Sequence, residues 1–177
     1  MAETIKQTEA IPAEYPDVTP FNRLGYIDEV QDAPVSADQI WQRIEAYIAH
    51  RYTPRAVVWI VEGAGDWTPP LTPATVTGAE VWEMGEWSEL TLAEGPYGYC
   101  LAGDGPYRIT ATVGGGDVPA AVQEAFKRMH EYTRGINDSF KNETAFVGGE
   151  DGIPRGWTAK AMQLCGATDL LRALRRA

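Results

Sequence analysis

The sequence predicts an α+β fold: a small bundle of helices with an inserted antiparallel β-hairpin or meander, an extended N-terminal arm and a C-terminal helical segment. Three observations carry this. Tyr107–Val113 alternates β-branched and aromatic residues like a strand, then runs through Gly114-Gly115-Gly116 into a helical pattern at Val122, Ala125, Phe126 and Met129. A second helical pattern, Ile40, Trp41, Ile44, Tyr47 and Ile48, lies earlier in the chain. Between the two, short β-rich runs alternate with Gly- and Pro-bearing turns.

Taken in order, residues 1–35 show little periodicity and carry Pro12, Pro16, Pro20 and Pro34. They read as an extended arm, and Tyr15, Phe21, Leu24 and Tyr26 predict that it packs on the domain or on a neighbour. The core spans 36–135. Ser36-Ala37-Asp38-Gln39 is a capping box that opens the first helix. Pro54 disfavours helix in the residue before it, so that helix should end near His50–Arg51.

Ala56–Val61 is a continuous β-rich run, expected as a well-buried strand. Gly63–Pro73 is a loop stiffened by Pro69-Pro70. Two hairpins are expected next. Glu80–Met84 pairs with Ser88–Leu92 across Gly85-Glu86-Trp87, and Tyr97–Leu101 pairs with Tyr107–Val113 across Gly103-Asp104-Gly105-Pro106. Asp117 reads as an N-cap, Pro119 fits the first helical turn and Gly135 suits a left-handed C-cap. Residues 136–156 then form a polar, flexible loop, and 157–177 hold short helices broken at Gly166.

At 177 residues and 44% hydrophobic content, one domain with tails and a real core is expected. No apolar run nears the roughly 20 residues of a membrane helix, and Met1–Glu14 has no apolar stretch of secretory type. Cys100 and Cys165 stand apart without metal-ligand spacing. They read as reduced, buried thiols, with no metal site and no cofactor implied.

The net charge of −10 is uneven. Residues 56–107 hold eight acids and no Lys or Arg, whereas 155–177 hold five basic residues against Asp169. An acidic body lacks the cations that grip a phosphate backbone. It suits a surface that meets a basic protein or lets DNA slide past.

Few residues offer chemistry. His50 and His130 are the two histidines, and neither has a neighbouring nucleophile in sequence. A helix end explains His50, and the edge of an apolar face explains His130. Glu80, Glu83, Glu86 and Glu89 read as the solvent side of a hairpin rather than a glycosidase pair. The glycine triplet lacks a phosphate-binding lysine and is followed by Asp117, so it reads as a turn. No catalytic residue is therefore expected.

Three stretches resemble the head–tail connector (adaptor) proteins of long-tailed bacteriophages and related gene transfer agents. They are the helix-to-strand run Ile40–Trp59, the strand-turn-helix run Tyr107–Val122, and the ending Leu164-Cys165-Gly166-Ala167-Thr168-Asp169-Leu170-Leu171. The likeness covers roughly residues 36–135 and 156–176; the first 35 residues do not read as the helix with which that family usually opens. The resemblance implies a non-enzymatic virion protein of the phage neck, assembled in the host cytoplasm. It implies a ring, usually of about twelve copies, beneath the portal protein. A tail-side neck protein, either a stopper or a tail terminator, would sit below, and genomic DNA would pass through without sequence-specific binding. No membrane is involved.

The C-terminal segment is the expected portal-docking element. Trp157, Leu164, Leu170, Leu171 and Leu174 would be apolar anchors, and Arg172, Arg175 and Arg176 would meet acidic groups. In the β region, Trp67, Trp82, Trp87, Tyr97 and Tyr99 are the expected ring or tail-side anchors. The acidic, Trp-rich β region also fits a competing expectation, a carbohydrate-active enzyme or sugar-binding module.

Overall fold

Strict alternation along two long strands organises the β region. In the computed structural model, which describes residues 2–20, 35–146 and 160–175, the chain forms two compact units. A β unit comprises Met1–Glu14 and Ala49–Asp117, and a helical unit comprises Tyr15–Ile48 and Val118–Ala177. The fold is α+β, and in chain order all of the β unit except its first segment, which carries β1, falls between the two main helices.

In the β unit, β1 (Glu3–Glu9), β2 (Arg55–Glu62), β4 (Ala74–Glu83), β5 (Glu86–Glu89) and β8 (Tyr107–Val113) make one antiparallel sheet in the order β1-β2-β8-β4-β5. A second sheet orders β3 (Gly65–Trp67), β7 (Gly98–Leu101) and β6 (Ala93–Gly95) as β3-β7-β6. Val57, Trp59 and Val61 of β2 share a buried face with Tyr107, Ile109, Ala111 and Val113 of β8, and Trp67, Leu71 and Leu101 complete that core. Burying each large side chain contributes roughly 1.5–3 kcal/mol. The continuous apolar run of β2 is thus buried on one face only, since Val58 and Ile60 on the other are half-exposed. Strand pleating sends successive side chains to opposite faces whatever their polarity.

Three expectations are corrected here. Residues 3–9 of the arm form an edge strand. Its polar sequence hides this, because its side chains serve as acceptors: Gln7 Oε1 accepts from the Trp59 indole at 2.9 Å, and Thr4 Oγ1 accepts from the Trp67 indole at 2.9 Å. The expected pairing of 97–101 with 107–113 is absent; β7 joins β3 and β6, while β8 lies between β2 and β4. Tyr107 closes the loop between them, its hydroxyl accepting from Gly103 N–H and donating to Gly103 C=O, each at 2.7 Å. The β4–β5 turn is shorter than expected. Met84 and Gly85 alone make it, with φ of 51° and 89°, so that Glu83 faces Glu86 and Trp82 faces Trp87. Positive φ at both central residues matches the twist of a two-residue hairpin.

In the helical unit, α1 (Ala37–Ile48) opens where expected, with Ser36 Oγ accepting from Gln39 N–H at 3.3 Å. Ile40, Trp41, Ile44 and Ile48 are buried, as is Glu45. α2 (Ala120–Phe146) presents Val122, Ala125, Phe126 and Met129 to the core, and Trp41 stacks on Phe126 at 5.1 Å. Its first bonds are accepted by Pro119 C=O, so the cap falls at Pro119 and not at the expected Asp117. α2 also continues past Gly135, correcting the expected stop there and the loop expected from 136. A mid-helix glycine costs only about 1 kcal/mol, which a long helix absorbs. α3 (Ala161–Leu164), α4 (Ala167–Leu171) and a 3₁₀ turn (Arg172–Leu174) end the described chain. Gly166, at φ 73°, breaks α3 from α4 as expected.

Candidate docking surfaces

The β4–β5 hairpin brings together much of what the sequence singles out. Trp82 and Trp87 meet edge to face at 5.2 Å, with Trp82 42% exposed. The Arg108 guanidinium lies 4.6 Å over the Trp87 ring and holds Glu80 through two bonds of 2.5 and 2.6 Å. Those bonds keep the Glu80 carboxyl below its usual range. Met84 at the tip is wholly exposed. Sequence reasoning misses it because the pattern of Glu80–Met84 predicts the end of a strand there. Tyr97 is exposed, Tyr99 and Trp87 are half-buried, and Trp67 is buried in the core, where it meets Trp59 at 5.5 Å. Trp67 is therefore a packing residue and not an outward anchor.

Beside the hairpin lies a cavity of about 440 Å³, bounded by Trp82, Glu83, Leu90, Cys100, Asp104 and Tyr107 among others. It lies where the hairpin passes the small β3-β7-β6 sheet. Its walls are apolar and aromatic, with two carboxylates and no Lys or Arg. Cys100 is exposed and Cys165 half-exposed, correcting the expectation that both are buried. Partial burial pushes the Cys165 thiol up.

The C-terminal candidates divide by burial. Leu171 is fully buried with Ala167, in a helix that packs against α2 and α1. Leu170 is half-buried. Leu164 and Leu174 are 56% and 40% exposed, and Arg172 and Arg175 are exposed. Arg175 also lies 5.3 Å over the Tyr47 ring. Trp157 and Arg176 lie outside the described residues.

No family model, curated protein or solved structure matches the chain. Its surfaces must therefore speak through their own chemistry.

The histidines sit in packing positions. His50 Nδ1 lies 3.4 Å from Thr72 Oγ1 and its ring rests on Tyr52 at 4.5 Å. The same threonine bridges the chain by donating its N–H to Ala49 C=O and accepting from Arg51 N–H. His130 stacks near Phe126. Burial, reinforced by Arg51 and Arg134 respectively, pushes both imidazoles below their usual pKa. The three glycines at 114–116 all have positive φ and form a turn. Among the described residues no cluster of His, Cys, Asp or Glu is placed to hold a metal ion, and no helix is long and apolar enough to cross a membrane.

Sequence reasoning also missed a second cluster. Glu9 accepts from Arg51 at 2.5 and 2.9 Å and from Arg55 at 3.2 Å. Only a long-range strand pairing joins these residues, so no local pattern reveals them.

Proposed function

We propose that this chain is a structural head–tail connector of a tailed phage or phage-like particle. It would form a ring under the portal, join the DNA-filled head to the tail side and let DNA pass. The observation that carries this reading is architectural. In chain order a helical unit built from α1, α2 and the C-terminal helices is interrupted between α1 and α2 by Ala49–Asp117, the main part of an antiparallel β unit. That is the arrangement implied by the resemblance of Ile40–Trp59, Tyr107–Val122 and Leu164–Leu171 to the connector family.

The surfaces support a binding role. Exposed Trp82, Met84 and Tyr97 on the β unit, and exposed Leu164 and Leu174 on the helical unit, are apolar groups that partners would cover. The acidic stretch 56–107 is a poor grip for phosphate and a suitable wall for passing DNA. The sugar-binding alternative draws less support. Trp59 and Trp67 are core residues, and Trp82 and Trp87 meet at 62° instead of offering one flat platform.

Electron microscopy of the purified protein, with and without a candidate portal protein, tests the proposal. Ring density seated on the portal is expected. Portal that stays bare at saturating protein, or heads that acquire tails when the gene is deleted, would overturn it.

A further inference from the structure

The cavity beside the β4–β5 hairpin sets apolar and acidic groups side by side at the surface. It is open, walled by Trp82, Leu90 and Tyr107, and carries Glu83 and Asp104 with no cation among its lining residues. Met84 extends the apolar surface at the hairpin tip. Its complement is an exposed apolar side chain flanked by basic groups.

Among the described residues, the C-terminal segment has that chemistry. Leu174 is exposed between Arg172 and Arg175, and Leu164 is exposed nearby in sequence. Ile11 is exposed too, but the charge nearest to it that is not already paired with arginine is Glu14, of the cavity's own sign. We propose that the cavity receives the C-terminal segment of a second copy of this chain, with Leu174 seated against Trp82 and Leu90 and Arg172 facing Glu83 and Asp104. The two patches differ, so the contact is head-to-tail and generates a closed ring or an open filament rather than a two-fold dimer. The inference rests on the ring reading and names one of its lateral contacts.

Charge reversal gives a two-sided test. Glu83→Lys with Asp104→Lys makes a chain whose acceptor and donor are both basic. Arg172→Glu with Arg175→Glu makes one in which both are acidic. Sedimentation velocity should show each variant associating roughly tenfold or more weakly than wild type, and an equimolar mixture should recover association, because every acceptor again meets an opposite donor. A mixture no better than its components, with both variants folded by circular dichroism, overturns the proposal.

Cys100 supplies an independent readout. In a Cys165→Ser background, Leu174→Cys should give a ladder of cross-linked species with a short bis-maleimide, both free and on portal-bearing heads. Removing Cys100 should abolish the ladder. No ladder in either setting, or one indifferent to Cys100, counts against the contact. Rings that form on the portal but ignore these changes would reject this contact while leaving the connector reading intact.

Discussion

Arg51 and Glu9, 42 residues apart in sequence, form a two-pronged ion pair with Nε–Oε1 at 2.5 Å and Nη2–Oε2 at 2.9 Å. Arg55 adds a third bond to the same carboxylate, and both arginines are buried. The pair fixes the end of an edge strand that brings little apolar surface of its own, since Ile5 is 54% exposed.

Glu9→Ala should therefore cost about 2–4 kcal/mol, more than a surface ion pair, because it leaves two buried guanidiniums short of an acceptor. Urea denaturation of the full chain measures it. A loss under 0.5 kcal/mol, a surface-pair magnitude, would show that water replaces the carboxylate and that β1 is not held by this cluster.

The C-terminal leucines should separate into two kinds. Leu171→Ala removes a fully buried side chain and should lower stability by about 2–5 kcal/mol. Leu174→Asp, on an exposed residue, should leave the thermal midpoint within about 2 °C while weakening the proposed contact between copies. Deleting residues 168–177 should destabilise the monomer, since Leu171 goes with it. An unchanged melt of that truncation would contradict the burial of α4.

Gly114 should tolerate no side chain. It has φ +100°, and a Cβ there would stand 2.3 Å from Thr53 O. Gly115 has φ +120° with open space around it. Gly115→Ala should cost about 1–3 kcal/mol from backbone strain, and Gly114→Ala clearly more because the clash is with backbone. Equal losses at the two sites would mean that the Thr53 segment moves aside freely.

Both imidazoles are held below their ordinary pKa of 6.5. The unfolded chain then binds more protons than the folded one between the folded pKa and 6.5, so stability rises with pH across that window. Acidification from pH 7 should weaken the fold beginning near pH 6.5, and His50→Gln with His130→Gln should flatten that part of the curve. On the proposed connector reading, the double variant should also leave particle infectivity largely intact. Complete loss with normal folding and assembly would point to chemistry at one of these rings.

Elements stabilised by their own side-chain pattern were legible in sequence. α1 announces itself through Ser36 and the spacing of Ile40, Trp41 and Ile44, and β8 through strict alternation. Features stabilised by distant partners were not. Nothing near Glu3–Glu9 signals a strand, because its acceptors answer donors at 51, 55, 59 and 67. Gly135 looks like a stop because the propensity of one residue is local, whereas a helix is held along its length. The outward role assigned to Trp67 fails for a related reason. Composition marks an aromatic as valuable, but only sheet pairing decides which face it takes.

The close approach of Gly114 to Thr53 has a consequence for how the chain assembles. Arg55 and Val113 are paired across β2 and β8, so the strand entering the β unit and the strand leaving it lie side by side. Before that pairing, bringing α1 to α2 means closing a loop that includes all of Ala49–Asp117, an entropic penalty that grows with the logarithm of loop length. Once β2 and β8 zip together, only the short stretches beside Thr53 and Gly114 remain to be closed. The insertion thus turns a long-range encounter between two helices into a nearly local one. Substitutions that loosen the β2–β8 ladder should slow the docking of Trp41 on Phe126, although neither ring belongs to the β unit.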